Sequence, residues 1–411
     1  MPLPSEPVRP LEPPPSRRVA GVERDIFVLG LVSFFADVAG EMLYPIVPVF
    51  LTATLGAPVF AVGLVEGVAE STAALVRTAS GWLSDRVGRR KPLVALGYGL
   101  SAVAKPLLAL AFGWPLVLLA RFLDRTGKGL RGAPRDALIA EWAPPAERGR
   151  AFGFHRSMDT AGAVVGPLTA LLVLWLLAER LRLAFLVAFA PAAAAVLLVA
   201  LVRERRPAAT AGAPPLSLRL DGYDRGFKAL LLVTVVFAMG NSSDAFLILR
   251  AQDLGLSATM VVLAYTLYNA VYAALSLPAG MASDTVGRRN VMLAGLAIFA
   301  AVYLGFALAG SGTLVWPLFA VYGAYIALTD GVARALVADL VPADRRATAL
   351  GLYSTVLGVT VLAASVIAGA LWDLLGPAAP FLYGAATAAA AALLLVLLLP
   401  ARPQPAAVLQ S

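Results

Sequence analysis

The sequence contains no cysteine and a single histidine, His155. The absence of cysteine excludes disulfide bonds, thiolate metal sites and cysteine nucleophiles. One histidine cannot supply a site that needs two imidazoles from the same chain. No nucleophile with a matching base is visible in the rest of the sequence, so we predict that the protein is not an enzyme.

Charged residues are also scarce. They make up 14% of the 411 residues, whereas soluble proteins carry about 25%. Hydrophobic residues make up 60%, and the mean hydropathy is +0.81. This composition predicts many apolar spans, and therefore an all-α membrane protein. Apolar stretches broken by glycine, proline or charge predict twelve transmembrane helices, TM1 to TM12, at residues 25–53, 58–82, 92–112, 114–139, 151–177, 182–202, 227–250, 258–281, 291–310, 313–340, 347–374 and 378–400.

The positive charges between these spans are distributed unevenly. With both termini in the cytoplasm, nearly all loop cations fall on the cytoplasmic side, and the external side holds only Arg180, Arg182 and Arg250. This is the positive-inside pattern of membrane proteins. We therefore predict a multi-pass protein of the bacterial inner membrane with both termini cytoplasmic. The net charge of +8 then reflects topology in the lipid bilayer, and we predict no binding of nucleic acid.

An internal repeat divides the spans into two halves. GWLSDRVGRR at 81–90 recurs as GMASDTVGRR at 280–289, a shift of 199 residues. Because each copy holds an even number of spans, the halves are expected to be parallel, related by an axis along the membrane normal. The predicted organisation is a disordered cytoplasmic tail at 1–22, a six-helix bundle at 23–202, a cytoplasmic linker at 203–226, a six-helix bundle at 227–400 and a cytoplasmic tail at 401–411.

The loop between TM2 and TM3 carries the pattern G-x-x-x-D-R-x-G-R-R-K. Its residues are Gly81, Asp85, Arg86, Gly88, Arg89, Arg90 and Lys91. The second copy has Thr285 and Asn290 where the first has an arginine and the lysine, and it keeps Gly280, Asp284, Gly287, Arg288 and Arg289. The pattern resembles the signature of the major facilitator superfamily, and the chain resembles bacterial drug/proton antiporter-like permeases of that superfamily.

The resemblance implies a twelve-helix fold in two pseudo-symmetric halves. It further implies a monomer that moves a small-molecule substrate by alternating access and needs no cofactor. It also implies a conformational latch that holds the halves together on the cytoplasmic side in the outward-open state. The predicted latch residues are Gly81, Asp85, Arg86, Gly88, Arg89, Arg90, Asp284, Gly287 and Arg288. The alternative is that the cations of the loop only anchor the topology.

TM4 carries an unusual set of cations: Arg121, Arg125, Lys128, Arg131 and Arg135. At about 100° per residue, they lie with Asp124 within an arc of about 120°, so they form one charged face of a helix. Charged side chains in a membrane face the bundle interior or a water-filled cavity. Arg121 also resembles the arginine of a superfamily TM4 motif found near the cavity or a proton site.

Carboxylates on the neighbouring spans TM1, TM2 and TM5 can neutralise this face. A buried carboxylate beside an arginine can gain or lose a proton as its surroundings change. We therefore predict a proton-coupling site in the central cavity, made of Asp37, Glu41, Glu66, Glu70, Arg121, Asp124, Arg125 and Asp159. The alternative is a structural network in which every charge is paired.

The second half offers polar and aromatic side chains. Those that we predict to contact the substrate are Asn241, Asp244, Tyr265, Asn269, Tyr272, Tyr325, Asp330 and Arg334. Tyr265, Asn269 and Tyr272 have the spacing of one face of TM8. The alternative is ordinary packing of tyrosines between helices.

TM5 contains Gly162, Gly166 and Pro167 in G-x-x-x-G-P spacing, which permits close helix approach. The spacing resembles the superfamily's antiporter motif, so we predict a hinge here and export rather than uptake. The predicted function is proton-coupled efflux of a small organic compound, driven by the proton gradient. The alternatives are an organic-anion carrier that uses the TM4 cations and a divalent-metal permease that uses the TM1 and TM2 carboxylates.

Overall fold

A computed structural model describes residues 18–19, 21–87, 89–143, 147–177, 180–204, 220, 222–342 and 346–399. The predicted tails and most of the predicted linker fall outside these residues, and their bounds stay predictions. At the predicted boundary between the first tail and the first bundle, Arg18–Val19 pairs with Val22–Glu23 as a short antiparallel ribbon.

Most of the predicted spans are single helices. They are TM2 (Val59–Val87), TM3 (Lys91–Ala109), TM4 (Trp114–Trp142), TM5 (Arg148–Leu176), TM6 (Leu181–Ala200), TM8 (Ala258–Val286), TM9 (Arg288–Leu308), TM10 (Val315–Leu340), TM11 (Arg346–Leu375) and TM12 (Ala379–Leu398). A 3₁₀ turn at Gly312–Leu314 precedes TM10. The prediction of an all-helical membrane fold is confirmed.

The predicted spans TM1 and TM7 are present, but each is interrupted instead of being a single helix. TM1 consists of Arg24–Glu41, Ile46–Val49 and the π-helical turn Phe50–Thr54, whereas TM7 consists of Arg225–Gly240 and Ala245–Asp253. The two breaks, 42–45 and 241–244, are separated by the repeat shift of 199 residues. They therefore occupy equivalent positions in the two halves.

The residues at each break explain it. In TM1, Pro45 lacks the N–H that a continuous helix would use. In TM7 the break has the sequence Asn-Ser-Ser-Asp, whose side chains compete with helical hydrogen bonds. The Ser243 hydroxyl accepts from the Ala245 N–H at 3.3 Å, which satisfies a free donor at the start of the next helix.

TM4 differs from the other spans in its charge. Among the described residues, 11 helices are long and apolar enough to cross a membrane. TM4 is not one of them, because its charged face lowers its hydropathy. Three of its arginines are nevertheless buried: Arg121, Arg125 and Arg131. The charged face therefore points into the bundle, as predicted from its periodicity.

The halves pack against each other along two pairs of helices. TM2 runs along TM11, and TM5 contacts TM8. Near the predicted external ends, the Asp373 carboxylate accepts from the N–H groups of Val59 and Phe60, at 3.1 and 2.8 Å. Nearer the predicted cytoplasmic ends, Arg77 and Arg334 have side chains 62% and 63% exposed. The halves are thus joined on the predicted external side, and charged side chains are exposed nearer the other side.

Candidate functional site

The two helix breaks are linked by a short series of side-chain contacts. Glu41, the last residue of the first TM1 helix, accepts a hydrogen bond from the Tyr265 hydroxyl at 3.1 Å. The Tyr44 ring stacks on Tyr265 with a centroid distance of 5.4 Å. Tyr265 in turn packs against Tyr268, whose hydroxyl donates to Asp244 in the TM7 break. The contacts between the halves thus join one break to the other.

Asp244 is held entirely by tyrosines. The Tyr322 hydroxyl donates to Asp244 Oδ1 at 2.7 Å, and the Tyr268 hydroxyl donates to Oδ2 at 3.2 Å. Within the described chain, no cationic nitrogen lies within 4 Å of this carboxylate. Asn241 at the other end of the break donates to the Tyr325 hydroxyl at 3.2 Å. The predicted substrate residues Asn241, Asp244 and Tyr325 are therefore brought together.

Other predicted substrate residues lie apart from Asp244. Tyr272 donates to Asp330 at 3.3 Å, and Arg334 pairs with Asp330 at 2.8 Å. This group is partly exposed. The Asn269 amide donates to the Tyr265 carbonyl oxygen of its own helix at 3.0 Å. The single TM8 face predicted from spacing is thus divided between two places.

A pocket of about 500 Å³ of empty space, part of it open to solvent, lies in the first half beside the TM1 break. Its charged and tyrosine lining consists of Asp37, Glu41, Tyr44, Tyr98, Lys105, Arg121, Asp124, Arg125, Lys128 and Arg131. Most of the predicted proton-coupling residues therefore face one space. Glu66 and Glu70 stand behind it on TM2.

Three of the predicted carboxylates are already paired with cations. Glu66 Oε2 accepts from Arg121 at 2.5 Å, and both side chains are buried. Glu70 pairs with Arg125 at 3.0 Å. Asp124 pairs with Lys105 at 2.8 Å and lies 3.7 Å from Arg121. These contacts favour the structural alternative for Glu66, Glu70 and Asp124.

Asp37 and Glu41 differ from those three. Neither has a cationic nitrogen within 4 Å in the described part of the chain. Lys128 lines the same pocket as both carboxylates. Lys128 is exposed to the pocket and has no ion-pair partner among the described residues. Because Asp37, Glu41 and Lys128 hold no ion pair in the described chain, each can bind a proton or a substrate group without breaking one.

Asp159 belongs to a neighbouring polar cluster. His155 Nδ1 lies 3.5 Å from Asp159 Oδ2, and His155 Nε2 lies 2.8 Å from the Ser33 hydroxyl. Arg135 also donates to Ser33, at 3.1 Å, and pairs with Asp136 at 3.0 Å. Asp159 belongs to the predicted proton-coupling set but does not share the ion pairs of Glu66, Glu70 and Asp124.

The described contacts of the predicted latch lie within single halves. Arg90 pairs with Glu141 on TM4, and Arg288 pairs with Asp339 at 2.6 Å and with Asp284 at 3.6 Å. Gly287 has φ +94, a conformation that glycine adopts readily. Gly81 faces the side chain of Ala133 on TM4.

Among the remaining latch residues, Arg86 lies over the Trp82 ring at 5.2 Å, and Arg89 is exposed. Gly88 and the side chain of Asp85 fall outside the described residues. The latch therefore stays a prediction.

Two glycines let TM5 approach TM1 beside Asp37 and Glu41. A Cβ atom at Gly162 would lie 2.6 Å from the Phe34 carbonyl oxygen, and one at Gly166 would lie 2.9 Å from the Cβ of Glu41. The motif thus provides close packing at Asp37 and Glu41. The hinge formed by Gly162, Gly166 and Pro167 stays a prediction.

We expect Gly166→Ala to lower the free energy of unfolding by about 1–3 kcal/mol, because the added methyl group enters a filled contact. Gly153→Ala on the same helix is the matched control, since nothing lies within 4 Å of its Cβ position. Thermal unfolding in detergent should show a lower melting temperature for Gly166→Ala only. Equal melting temperatures for the two variants would contradict the packing described.

Some residues of the site are not among the predicted coupling and substrate residues, although Lys128 lies on the predicted charged face of TM4. Tyr44, Tyr268 and Tyr322 complete the tyrosine contacts around Asp244, and Lys128 faces the free carboxylates. The repeat contained a signal for Tyr44, since the shift of 199 residues places it opposite Ser243 in the TM7 break. No spacing within one helix could have identified it.

Comparison with known proteins agrees with this architecture. The family model for the Major Facilitator Superfamily matches residues 29–231 and 229–410. An uncharacterized MFS-type transporter of Methanocaldococcus jannaschii is 36% identical over 373 residues, which cover 89% of this chain and 93% of the relative. A multidrug resistance protein, MdtH of Photorhabdus laumondii, is 32% identical over 136 residues, 33% of each chain.

Solved structures show the same fold. A variant of the nucleoside transporter NupG superposes with a TM-score of 0.77 at 14% identity, covering 92% of this chain and 100% of that one. The predictions of a twelve-helix fold in two halves and of a transporter rather than an enzyme are confirmed. The chain is a multi-pass membrane transporter that belongs to the Major Facilitator Superfamily.

Proposed function

We propose that the protein exports a small organic molecule in exchange for protons, with both binding between the breaks of TM1 and TM7. The observation that carries the proposal is the matched pair of breaks, each with a carboxylate beside it: Glu41 in one half and Asp244 in the other. Discontinuous helices at corresponding positions of two repeats mark binding sites in transporters. Irregular backbone within a membrane is tolerated where it is buried in protein or lines a cavity.

Contacts between the halves support alternating access to this site. The Glu41–Tyr265 hydrogen bond and the Tyr44–Tyr265 stack join the halves at the centre. Asp373 joins them at the predicted external side. Rotation of one half against the other would break the external contacts and open the centre to that side.

The charge pairing supports a smaller proton-coupling set than the sequence predicts. Asp37 and Glu41 border the pocket and have no close cation in the described chain, so protonation costs no ion pair there. Protonating Glu66, Glu70 or Asp124 would break a contact of 3.0 Å or less. We assign proton exchange to Asp37, Glu41 and Asp244, and assign the paired carboxylates to structural support.

Export is supported by two features. The glycine–proline spacing of TM5 resembles the antiporter motif, and its glycines pack on TM1 at Asp37 and Glu41. The similarity to MdtH, named as a multidrug resistance protein, covers a third of the chain. Both features point to outward movement of an organic molecule.

A carrier of organic anions is the second candidate, because two of the five cations that line the pocket have no carboxylate within 4 Å among the described residues. Lys128 has no ion-pair partner among the described residues, and Arg131 is buried with its guanidinium over the Tyr98 ring and donating to Ser101. These groups could bind a carboxylate. The divalent-metal alternative has less support, since the TM2 carboxylates are held by Arg121 and Arg125.

Reconstitution into liposomes with a lumenal pH dye tests the proposal. Three compounds are added in turn to liposomes that hold a pH gradient. Tetraphenylphosphonium represents organic cations, benzoate represents organic anions and Mn²⁺ represents divalent metals. We expect proton movement with tetraphenylphosphonium, and we expect it to fall about tenfold or more in Glu41→Gln. Substrate flux without proton movement would contradict proton coupling. Proton movement with benzoate alone, lost in Lys128→Gln, would favour the anion carrier.

A further inference from the structure

Asp244 is a carboxylate inside the membrane-spanning part of the protein that the described chain leaves without a counter-ion. A buried charge is costly unless it is paired or neutralised. Its tyrosine hydroxyl donors, Tyr322 and Tyr268, stabilise the carboxylate but carry no charge. The negative charge of Asp244 can therefore be neutralised in two ways: by a proton or by a bound cation.

The side chains that face Asp244 favour a cation. The tyrosines around it come from TM1, TM8, TM9 and TM10, and are Tyr44, Tyr268, Tyr303 and Tyr322. The charged groups that act most strongly on it are Glu70 and Glu41, both carboxylates. Arg125 is held by Glu70 at 3.0 Å.

The tyrosine rings supply apolar surface and the negative faces that attract cations. Tyr268 and Tyr322 lie 5.4 Å apart between centroids, and Tyr322 and Tyr325 lie 5.2 Å apart, so these rings pack on one another and must separate to present a face to a cation. The same region already holds cations over a ring, since Arg121 and Arg125 each lie 5.9 Å from the Tyr44 centroid.

We propose that Asp244 and the tyrosines around it bind the positively charged nitrogen or phosphorus of the transported molecule, so that the substrate class is an aromatic or apolar organic cation. This inference rests on the proposed function. Tyr44 lines the pocket and stacks on Tyr265, which packs against Tyr268, so these rings separate the pocket from Asp244. A cation that enters from the pocket would reach Asp244 when the Tyr265–Glu41 hydrogen bond opens.

Binding of tetraphenylphosphonium to the purified full-length protein in detergent tests this proposal. Asp244→Asn keeps an acceptor for the tyrosine hydroxyls but removes the charge, so the dissociation constant should rise about tenfold or more. Asp253→Asn is the control, because that carboxylate follows Asp244 on the same span and already pairs with Arg250. The control should bind like the unmodified protein.

The rings are tested separately from the charge. Tyr322→Phe keeps the ring and should change the dissociation constant by no more than about threefold, whereas Tyr322→Leu removes the ring and should raise it about fivefold to tenfold. Thermal unfolding of each variant verifies that it is folded. If Phe and Leu weaken binding equally, the ring faces do not contact the cation, and the proposed role of the tyrosine rings is overturned.

Competition with protons gives an independent readout. Acidification should weaken tetraphenylphosphonium binding to the unmodified protein clearly more than binding to Asp244→Asn, since the variant lacks the carboxylate that exchanges the cation for a proton. Unchanged binding in Asp244→Asn, or binding of benzoate in preference to the cation, would overturn the inference.

The two proposals fail in different ways. Asp244-dependent cation binding without proton-driven flux would uphold the site and contradict proton-coupled export. Proton-driven flux of an anion that ignores Asp244 would uphold coupling and overturn the cation site.

Discussion

Glu66→Gln is expected to lower the free energy of unfolding by about 3–5 kcal/mol, the cost of leaving one member of a buried ion pair without its partner. Glu66 and Arg121 have side chains 2% and 4% exposed, and they meet at 2.5 Å. Asp124 lies 3.7 Å from the same guanidinium and can compensate only in part, because it already holds Lys105. Arg121→Gln should cost a similar amount.

The double variant separates pairing from a simple loss of packing. Glu66→Gln combined with Arg121→Gln leaves two neutral amides, so most of the stability should return. Glu147→Gln is the control for an exposed pair: Glu147 meets Arg18 at 2.9 Å with side chains 35% and 52% exposed, and its loss should cost about 1 kcal/mol or less. Thermal unfolding in detergent measures all four. A double variant no more stable than the single ones would contradict the pairing.

Asp373→Asn is expected to shift the protein towards the outward-open state. Its carboxylate accepts two backbone hydrogen bonds at the start of TM2, where the helix dipole favours negative charge. Hydrogen bonds to a charged group contribute about 1.5–3 kcal/mol each. The amide keeps one acceptor and no charge, so the closed external contact should weaken by about tenfold in the equilibrium constant.

The absence of cysteine makes this shift easy to measure. Ser365→Cys places one thiol on TM11 at a fully buried position, where the Ser365 hydroxyl accepts from the Ser243 N–H of the TM7 break and the Ser365 backbone packs on TM2 at Gly63. Labelling from the external side with a membrane-impermeant maleimide should be about tenfold faster when Asp373→Asn is added. Equal labelling rates would show that Asp373 does not hold the external side closed.

Loss of the predicted cytoplasmic latch should change the external labelling rate in the opposite direction. Asp85 ends TM2 near the cytoplasm, as Asp373 ends TM11 near the outside, so the two acids occupy opposite ends of the same helix pair. Asp85→Asn should weaken the outward-open state and slow external labelling of the Ser365→Cys protein. Faster labelling in both variants would contradict the latch at Asp85.

Much of the architecture could be predicted from the sequence because it depends on local patterns. The length of apolar stretches predicts the spans, the 199-residue shift predicts the halves, and the periodicity of TM4 predicts a charged face directed inward. Each pattern lies within one segment or is repeated in a second one. The structure confirms all three.

Pairing between helices could not be predicted in the same way. The sequence places Glu66, Glu70, Asp37 and Glu41 on their own helices, but the rotation of TM1 and TM2 against TM4 decides which of them meets an arginine. That rotation depends on contacts such as those of Gly162 and Gly166 with TM1. For the same reason, the sequence could not show that two residues on one face of TM8 have different partners: Tyr265 contacts Glu41, whereas Tyr272 contacts Asp330.

The TM7 break shows a different limit. Asn241 to Asp244 lie within a hydrophobic span, and polar residues in such a span are compatible with a continuous helix that faces a cavity. The break in TM1 has a clearer cause in Pro45. Applying the repeat shift to that proline would have pointed to Asp244, so the information was present across the two halves and not within either one.

Proton release on substrate binding tests the central claim most directly, that proton and substrate compete for carboxylates between the two breaks. Titration calorimetry of tetraphenylphosphonium into the purified protein, in two buffers of different ionisation enthalpy, counts the protons exchanged. We expect release that rises towards about one proton per bound cation at acidic pH, and clearly less release from Asp244→Asn. No proton exchange at any pH, or proton uptake on binding, would contradict the account.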